Sequence, residues 1–389
     1  MNSKTGKTQR EGKKSIVVFS LASFLNDLGS DIIYPVWPVF VISLAGINMA
    51  ILGLIDGLGQ TIVSISQAGS GYLSDRLRKR KIFIWTGYFF GSMSRVGYAF
   101  SKVWQHLIPF KVLDRAGKMR GTPRDAIVAD LSTDENRGRN FGLLRTMDNL
   151  GAVYGILTSI ILFGYLRWSY MSLFLLASFP SLISVLLILL FIRDRKTKEI
   201  YKGLSLKDLT FNYKLFLLLS AIFALGAFSY SFLLVFAEKS GFAPSFVPVL
   251  YLVFTAVTSL TALSFGKLAD RLGRRLVLIL AYLLWGLMCV GFIYTNDYLG
   301  INLLFVLYGL HRRAIEPVQR TFVSELSPVE HRASLLGAFQ MTVGLCALPA
   351  SLIAGLLWDT FGKQAPFYFS LGLSSLTIIL MLFLKGKTK

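Results

Sequence analysis

Long apolar segments alternate with short polar ones along most of the chain. A helix needs ~20 mostly apolar residues to cross a lipid bilayer, and twelve segments approach or exceed that length. We therefore predict twelve membrane-spanning helices, called spans 1 to 12. Their predicted bounds are 15–45, 48–73, 82–101, 103–128, 142–165, 170–192, 215–238, 247–268, 276–294, 301–324, 334–358 and 366–384.

One long polar stretch, at residues 193–214, divides the twelve spans into two groups of six. The pattern predicts an all-α membrane protein made of two six-helix bundles. The predicted parts are a basic arm at 1–14, an N-terminal bundle at 15–192, a linker at 193–214, a C-terminal bundle at 215–384 and a tail at 385–389.

The composition agrees with a membrane protein. Of the 389 residues, 54% are hydrophobic and 16% are charged, whereas ~25% are charged in soluble domains. The formal net charge of +20 comes largely from the arm, the linker and the loops on one side of the predicted bilayer. This layout is typical of cytoplasmic loops, and it excludes the nucleic-acid binding that so basic a chain would otherwise suggest.

The loops on the opposite side hold few basic residues, namely Lys102, Arg167, Lys239 and Lys363. Lys and Arg accumulate in the cytoplasmic loops of membrane proteins. We therefore predict a multi-pass protein of the plasma (inner) membrane, with the N-terminus, the linker and the C-terminus all cytoplasmic.

Two separate segments recur in the second half at a single offset of 195 residues. The sequence GYLSDRLRKRK at 71–81 matches GKLADRLGRRL at 266–276, and ADLSTDENRGRNFG at 129–142 matches SELSPVEHRASLLG at 324–337. Because both matches share one offset, they indicate duplication of a six-helix unit. The two bundles are therefore expected to be pseudo-symmetric.

The pattern Gly-x-Leu-x-Asp-Arg between spans 2 and 3, repeated between spans 8 and 9, resembles the signature loop of the major facilitator superfamily. In the first copy Arg78 stands where the family has a glycine. The resemblance covers essentially the whole chain, and it implies the facilitator fold and secondary active transport. It also implies a cytoplasmic gate formed by Gly71, Asp75, Arg76, Arg80, Gly266, Asp270, Arg271 and Arg275.

Span 5 keeps the glycine spacing of the superfamily's antiporter motif, with Gly142, Gly151 and Gly155. The proline and paired glycines that the motif has next are replaced by Ile156, Ser159 and Ile160. The motif is associated with exporters, so the resemblance implies export. The motif itself is only partly kept in this chain. Strings such as FLNDLGSDIIYPVWPVF at 24–40 are also similar to a prokaryotic group of permease-like and multidrug-exporter-like facilitators.

Charged residues inside the spans are the best functional candidates, because a charge at the bilayer centre costs ~3 kcal/mol or more. Span 1 carries Asn26, Asp27, Asp31 and Tyr34. Asp27 and Asp31 are four residues apart and share a helix face, where two carboxylates repel and favour uptake of a proton by one of them. Proton coupling is one interpretation, and an ion pair with another helix is the alternative.

Spans 2 and 5 add further candidates. Asp56 and Gln60 are also four residues apart, and Gln60 fits a polar lining group better than a proton carrier. In the similar prokaryotic group, span 2 usually carries Glu and Lys, so a different solute is indicated. In span 5, Arg145 and Asp148 are expected to form salt bridges with span 4.

Span 4 contains a basic stripe of Lys111, Arg115 and Lys118 on one helix face. Asp114 is placed to pair with Lys118, since the two are four residues apart. Arg115 also lies where many facilitators have an arginine in the fourth helix, although Met119 replaces the glycine that follows in the family. These residues are candidates for binding a solute or a proton.

Span 10 carries His311, Arg312, Arg313 and Glu316 near its middle. Adjacent arginines point about 100° apart on a helix, so at least one should face the transport cavity, where it could clamp a carboxylate or phosphate. The alternative is an ion pair between one arginine and Glu316, together with a partner from span 1. His311 is expected to act as a hydrogen-bonding group, with titration near neutral pH as the other option.

These features predict proton-coupled efflux of a small organic solute by alternating access. The arginines of span 10 favour an anionic solute. An importer of the same fold and a non-transporting receptor are the alternatives. The sequence has no nucleotide-binding loop, HExxH, CxxC or Gly-x-Ser-x-Gly motif, so no enzyme activity, metal or cofactor is predicted. The expected partners are the solute, protons and the lipid bilayer, and we expect a monomer.

Overall fold

The computed structural model describes residues 2–44, 46–133, 136–193, 210–327 and 332–383, with the backbone alone for 2–11, 75, 262–263 and 332–334. Within these ranges the chain forms sixteen α-helices. In chain order they are α1 (Asn2–Ile33), α2 (Trp37–Ser43), α3 (Met49–Leu77), α4 (Lys81–Ala99), α5 (Trp104–Ala116), α6 (Gly121–Asp130), α7 (Arg137–Ser159), α8 (Tyr170–Phe191), α9 (Phe211–Gly226), α10 (Tyr230–Lys239), α11 (Val247–Leu260), α12 (Ala262–Leu272), α13 (Arg274–Tyr294), α14 (Tyr298–Leu326), α15 (Arg332–Phe361) and α16 (Ala365–Met381).

All twelve predicted spans fall on helical backbone, so the predicted all-α membrane fold is confirmed. Spans 1, 4, 7 and 8 each consist of two helices rather than one. In span 1, the helix ends at Ile33 and resumes at Trp37. Pro35 explains this break, because a proline has no N–H to donate and disfavours helical geometry in the residue before it.

By length and apolar composition alone, seven helical segments in the described part of the chain could cross a membrane. The number rises to eight if the bent pair Pro244–Leu260 and Ser264–Leu272 counts as one span. The other predicted spans are short or carry charges: α16 has 17 residues, and α14 holds several ionisable groups. A hydropathy threshold does not recognise charged helices that face the protein interior as membrane spans. Such helices can still cross the membrane, because neighbouring helices and not lipid surround their charges.

Backbone geometry supports the duplication independently of the sequence matches. In the described ranges, the residues with positive φ are Gly46, Arg78, Arg167, Gly241, Gly273 and Gly362. They form three pairs, 46 with 241, 78 with 273 and 167 with 362, and each pair is separated by 195 residues. Left-handed backbone is uncommon, so its recurrence at the same three places in both halves indicates two copies of one unit.

Arg78 carries backbone strain that its counterpart avoids. It follows the end of α3 with φ 54°, and Gly273 follows α12 with φ 89°. A left-handed residue after a helix end is usually glycine, and a side chain there costs about 1 kcal/mol. We predict that Arg78→Gly raises the free energy of unfolding by that amount, measured by thermal unfolding in detergent. Arg78→Ala, which keeps the Cβ, should bring no such gain; an equal gain would assign the effect to the lost charge instead.

The chain folds into two compact units. The first comprises residues 1–37 and 65–201, and the second comprises 38–64 and 202–389. In the first unit, α1 packs against α7 and α8, and α8 packs against α4. Its apolar core includes Phe19, Ile84, Tyr88, Leu144 and Ile188, all buried.

The second unit has an aromatic core among α9, α13, α14 and α16, in which Trp285 packs on Phe223 and Phe228. Residues 38–64, which the sequence assigns to the N-terminal bundle, also pack in this unit. Here the Asp359 carboxylate accepts hydrogen bonds from the N–H groups of Met49 and Ala50, at 3.0 and 2.8 Å. The carboxylate thereby caps the first turn of α3.

Candidate functional site

Six charged side chains meet inside the first unit and form what we call the acid–base cluster. Its members are Asp27, Arg120, Arg124, Asp125, Arg145 and Asp148. Arg124 Nη1 lies 3.7 Å from Asp148 Oδ1, and Arg145 Nη2 lies 3.2 Å from Asp125 Oδ2. The salt bridges predicted between spans 4 and 5 are therefore present. Arg120 joins the cluster through a contact of 3.9 Å with Asp27.

One carboxylate oxygen of Asp148 lacks a hydrogen-bond donor. Its Oδ2 accepts a hydrogen bond of 3.2 Å from Arg145 Nη1, whereas its Oδ1 is buried and accepts none from the described residues. The carboxyl group of Asp27 also interacts electrostatically with that of Asp148. An ionised Asp148 therefore has an unsatisfied buried oxygen and a like charge nearby, and both costs disappear when it binds a proton.

A small cavity lies in the same unit, among α1, α4, α5 and the side chain of Trp37, and we call it the basic cavity. Its charged residues and two of its aromatic residues are Tyr34, Trp37, Arg95, Lys111, Asp114 and Arg115. Lys111 Nζ lies 3.9 Å from the centroid of the Trp37 ring, and Arg115 Cζ lies 5.0 Å from that of Tyr34. Among the described lining residues, basic side chains thus outnumber acidic ones by three to one.

The predicted pairing of Asp114 with Lys118 is wrong for the described structure. Asp114 Oδ2 instead lies 3.4 Å from Arg115 Nε. Lys118 Nζ lies 6.0 Å from the centroid of the Tyr34 ring, at the edge of the range for cation–π attraction. The helix tightens to a 3₁₀ turn at Gly117–Arg120, and that change in winding alters the regular i, i+4 spacing on which the prediction relied.

Arg95 of α4 belongs to the basic cavity and was absent from the sequence-based candidates. Its guanidinium is buried and donates to Ala177 O and Ser30 Oγ, both at 2.8 Å, to Ser181 Oγ at 2.5 Å and to Asn26 O at 3.3 Å. All these acceptors are neutral. A single arginine in the otherwise uncharged second half of span 3 was the signal that could have identified it.

Asn26 connects the basic cavity to the acid–base cluster. Its Oδ1 accepts a hydrogen bond of 2.9 Å from Ser181 Oγ, which also accepts from Arg95. Its Nδ2 donates to Asp27 Oδ1 at 2.9 Å. One turn further along α1, Asp31 is buried, and its Cβ packs close to Gly155 of α7. The polar residues predicted in span 1 therefore all lie inside the first unit.

In the second unit, His311 is part of the aromatic core. Its Nδ1 lies 2.8 Å from Ala281 O, which fits donation of a hydrogen bond to that carbonyl. Its ring lies 5.0 Å from the ring of Trp285 and 5.8 Å from that of Phe223. This arrangement fits the hydrogen-bonding role that the sequence favoured.

The two arginines of span 10 differ in environment. Arg312 is exposed, and Arg313 is half-buried, with its Nε buried and without a hydrogen-bond partner among the described residues. Glu316 pairs with Arg320, at 3.2 Å, and forms no ion pair with either arginine in the described structure. Glu316 also acts electrostatically on Arg312, so the alternative in which it neutralises one of the two arginines stays a prediction.

Asp56 and Gln60 lie in the part of α3 that belongs to the second unit. Asp56 is buried, and its Oδ2 accepts hydrogen bonds from Ser229 Oγ, at 2.8 Å, and from Ser231 Oγ. Gln60 is exposed. The predicted candidates thus divide between the units, with Asp27, Asp114, Asp148 and their neighbours in the first, and Asp56 with the span-10 group in the second.

Each signature loop is joined by an ion pair to the end of a neighbouring helix in its own unit. Arg80 Nη1 lies 2.6 Å from Asp130 Oδ2 at the end of α6. In the second unit, Arg274 Nε lies 3.2 Å from Glu325 Oε1 near the end of α14. Asp130 and Glu325 are themselves 195 residues apart, whereas Arg80 and Arg274 are 194 apart, so the duplication preserves the acidic partner and the arginine differs by one position.

Other predicted gate residues are engaged locally or exposed. Arg275 donates to the carbonyls of Met381 and Leu382, and Asp270 pairs with Arg274 at 2.7 Å. Arg76 and Arg271 are exposed. The side chain of Asp75 lies outside the described residues. The role of these residues as a gate remains a prediction.

The glycines that begin the two signature loops differ in their surroundings. A Cβ at Gly71 would lie 3.0 Å from Cγ2 of Thr122, so glycine permits a close approach there. A Cβ at Gly266 would meet no atom of the described residues within 4 Å. Close approach therefore accounts for the glycine in the first copy of the loop and leaves the second unexplained.

The sequence model described as Major Facilitator Superfamily matches residues 19–234 and 215–389. The chain belongs to this superfamily. It is 36% identical to an uncharacterized MFS-type transporter of Methanocaldococcus jannaschii, over 98% of this chain and 97% of that protein. It is 25% identical to the quinolone resistance protein NorA of Staphylococcus aureus, over 95% and 96% of the two chains.

Solved structures agree with this assignment at the level of the fold. A crystal structure of a mutant of the nucleoside transporter NupG aligns with a TM-score of 0.80 and 15% identity, over 96% of this facilitator and all of that chain. The facilitator is thus a multi-pass membrane protein that transports a small-molecule solute, and it is not an enzyme.

Proposed function

We propose that this facilitator exports a small, negatively charged organic solute in exchange for protons, by alternating access. It acts as a monomer in the plasma (inner) membrane, with both termini in the cytoplasm. The signature loops, including Asp75 and Arg76 in the first and Asp270 and Arg271 in the second, form its cytoplasmic gate.

The observation that carries proton coupling is the carboxyl pair of the acid–base cluster. Asp148 has a buried oxygen without a donor, and Asp27 is its electrostatic neighbour. The cluster has three acidic and three basic members, so one added proton changes its net charge from zero to +1. Because the arginines remain protonated, the carboxyl groups are its only sites for a proton, and loading one weakens the ion pairs between α6 and α7.

Two observations support export. NorA is named for quinolone resistance, and resistance to a drug is a usual result of its removal from the cell. The antiporter-type glycines Gly151 and Gly155 lie in tight contact with the backbone of α1. These glycines keep α7 close to α1, as the antiporter motif would, although the later residues of the motif are replaced.

The negative charge of the solute is supported by basic residues in both units. In the second unit, Arg312 is exposed and Arg313 has a buried Nε without a partner in the described structure. With Glu316 held by Arg320, a solute carboxylate or phosphate is a suitable acceptor for one of these guanidinium groups.

The test is solute-dependent proton movement in proteoliposomes that contain the purified protein and an internal pH-sensitive dye. A panel of organic acids and quinolones is added on one side, with empty liposomes as the control. We expect at least one acid to drive protons in the direction opposite to its own flux. Movement of protons and solute together would indicate an importer, and solute flux without any proton movement would refute coupling.

A further inference from the structure

A row of exposed charged residues follows one face of α14 in the second unit. Arg312, Glu316 and Arg320 are each four residues apart, so they share that face, and all three are exposed. Arg312 stands at the midpoint of the helix, which runs from Tyr298 to Leu326. A charged side chain at that depth is costly to place against lipid. The row therefore faces water, which is where a solute passes.

Four aromatic rings beside Arg312 form a continuous surface, which we call the aromatic wall. Its members are Tyr230 of α10, Tyr251 and Phe254 of α11, and Tyr308 of α14. The ring centroids lie 5.4 Å apart for Tyr230 and Tyr251, 4.7 Å apart for Tyr251 and Phe254, and 5.1 Å apart for Phe254 and Tyr308. Ring contacts thus join three helices of the second unit at one place.

The aromatic wall reaches the guanidinium group of Arg312. Tyr308 lies one turn before Arg312 on the same face of α14, and long side chains on a helix lean toward its N-terminus. The phenol groups of Tyr308 and Tyr251 also act electrostatically on Arg312, as does the carboxylate of Glu316. A positive group and an aromatic surface therefore adjoin each other.

The wall differs in exposure from the aromatic core of the same unit. In the core, the side chain of Trp285 is 2% exposed and that of Phe228 is 6% exposed. In the wall, Tyr230 and Phe254 are only half-buried. Core packing does not explain why two rings next to an exposed cation keep part of their surface open. Covering that surface with another apolar ring is favourable.

We infer that this side of the second unit binds an aromatic acid, with its carboxylate on Arg312 and its ring against Tyr230 and Phe254. The inference names the class of the solute and rests on the proposed transport of an anion. Arg312 can donate two parallel hydrogen bonds to one carboxylate. A guanidinium has five N–H donors, so Arg312 can serve the solute while Glu316 stays nearby. Contact between rings adds a preference for aromatic over saturated acids.

The experiment measures binding to the purified full-length protein in detergent, from the shift in its thermal unfolding midpoint with probe concentration. The probes are benzoate, cyclohexanecarboxylate, benzamide and acetate, at neutral pH and at an ionic strength kept constant with chloride. Cyclohexanecarboxylate keeps the charge and a saturated ring, and benzamide keeps the aromatic ring without the charge. We expect benzoate to bind about three- to tenfold more tightly than cyclohexanecarboxylate. Benzamide and acetate should bind more weakly than either.

The variants separate the charge from the aromatic wall. Arg312→Met should weaken benzoate binding about tenfold or more, the effect expected for loss of a charge-assisted hydrogen bond. Phe254→Leu and Tyr230→Leu keep an apolar side chain without the ring, so each should lower the preference for benzoate over cyclohexanecarboxylate. That ratio compares two ligands on one protein, so a general loss of stability does not change it. The controls are Lys239→Met and Tyr294→Leu, which alter an exposed cation and an exposed ring outside the site and should bind normally.

The inference is overturned if no acid shifts the unfolding midpoint, or if cyclohexanecarboxylate binds as tightly as benzoate. It is also overturned if Arg313→Met weakens benzoate binding and Arg312→Met does not, since the carboxylate would then lie away from the wall. Equal binding of the two acids would leave the proposed transport of an anion in place. Binding of benzamide as tight as that of benzoate would instead refute the negative charge of the solute. Proton coupling is tested separately, because binding in detergent needs no proton gradient.

Discussion

Asp148→Asn is expected to reduce pH-driven solute flux at least a hundredfold and to leave the protein folded. Asparagine has nearly the shape of aspartate and cannot exchange a proton at neutral pH. The Asp148 carboxylate carries a buried oxygen without a donor, so an uncharged amide removes an unfavourable charge, and stability should not fall. Asp27→Asn should have the same effect on flux, because the two carboxyl groups interact. The measurement is flux in proteoliposomes at a fixed pH difference.

Asp125→Asn is the matched control, since Asp125 lies in the same cluster. Its carboxylate is paired with both Arg124 and Arg145, at 2.9 and 3.2 Å, so it is a satisfied structural acceptor. We expect this variant to be less stable yet to keep its pH-driven flux. Exchange of labelled for unlabelled solute without a gradient should survive in Asp148→Asn. If exchange is lost together with driven flux, Asp148 binds the solute or opens a gate, and it is not the proton carrier.

The sequence predicted the spans well, because ~20 consecutive apolar residues have few other uses. It was less successful at helix breaks and helix ends, where a single proline or a few charged residues decide the helix boundary. The break in span 1 was visible as Pro35, yet the apolar run continued past it and was assigned to one helix. The extension of α3 to Leu77 was missed, because the charged end of a helix resembles a loop in composition.

The candidate site was predicted in part, because spacing along one helix says which residues share a face but not which neighbouring helix that face meets. The ion pairs between α6 and α7 followed from complementary charges on consecutive spans. The partners of Asp56 did not, since Ser229 and Ser231 lie more than 170 positions away in the chain. Arg95 was missed for a related reason: its acceptors are hydroxyl and carbonyl groups, which leave no charge pattern in the sequence.

Gly151→Ala is expected to destabilise the first unit by about 3 kcal/mol, near the top of the usual range for overpacking. A Cβ at this position of α7 would lie 2.3 Å from Phe24 O and 3.0 Å from the carbonyl carbon of the same residue. Both are backbone atoms of α1, so no side-chain rotation relieves the clash and the helices must move apart. The measurement is the midpoint of thermal unfolding in detergent, compared with that of the wild type.

Gly142→Ala in the same helix is the control, and its effect should have the opposite sign. A Cβ there meets no atom of the described part of the chain within 4 Å, and alanine favours a helix over glycine by about 1 kcal/mol, so this variant should be slightly more stable. Both glycines belong to the antiporter-type spacing. They differ only in the space that the structure leaves for a side chain at each position. Equal effects of the two substitutions would mean that the glycines act through helix flexibility. Opposite effects would assign Gly151 to the contact that holds α7 against α1, which keeps Asp148 near Asp27 and so underlies the proposed coupling.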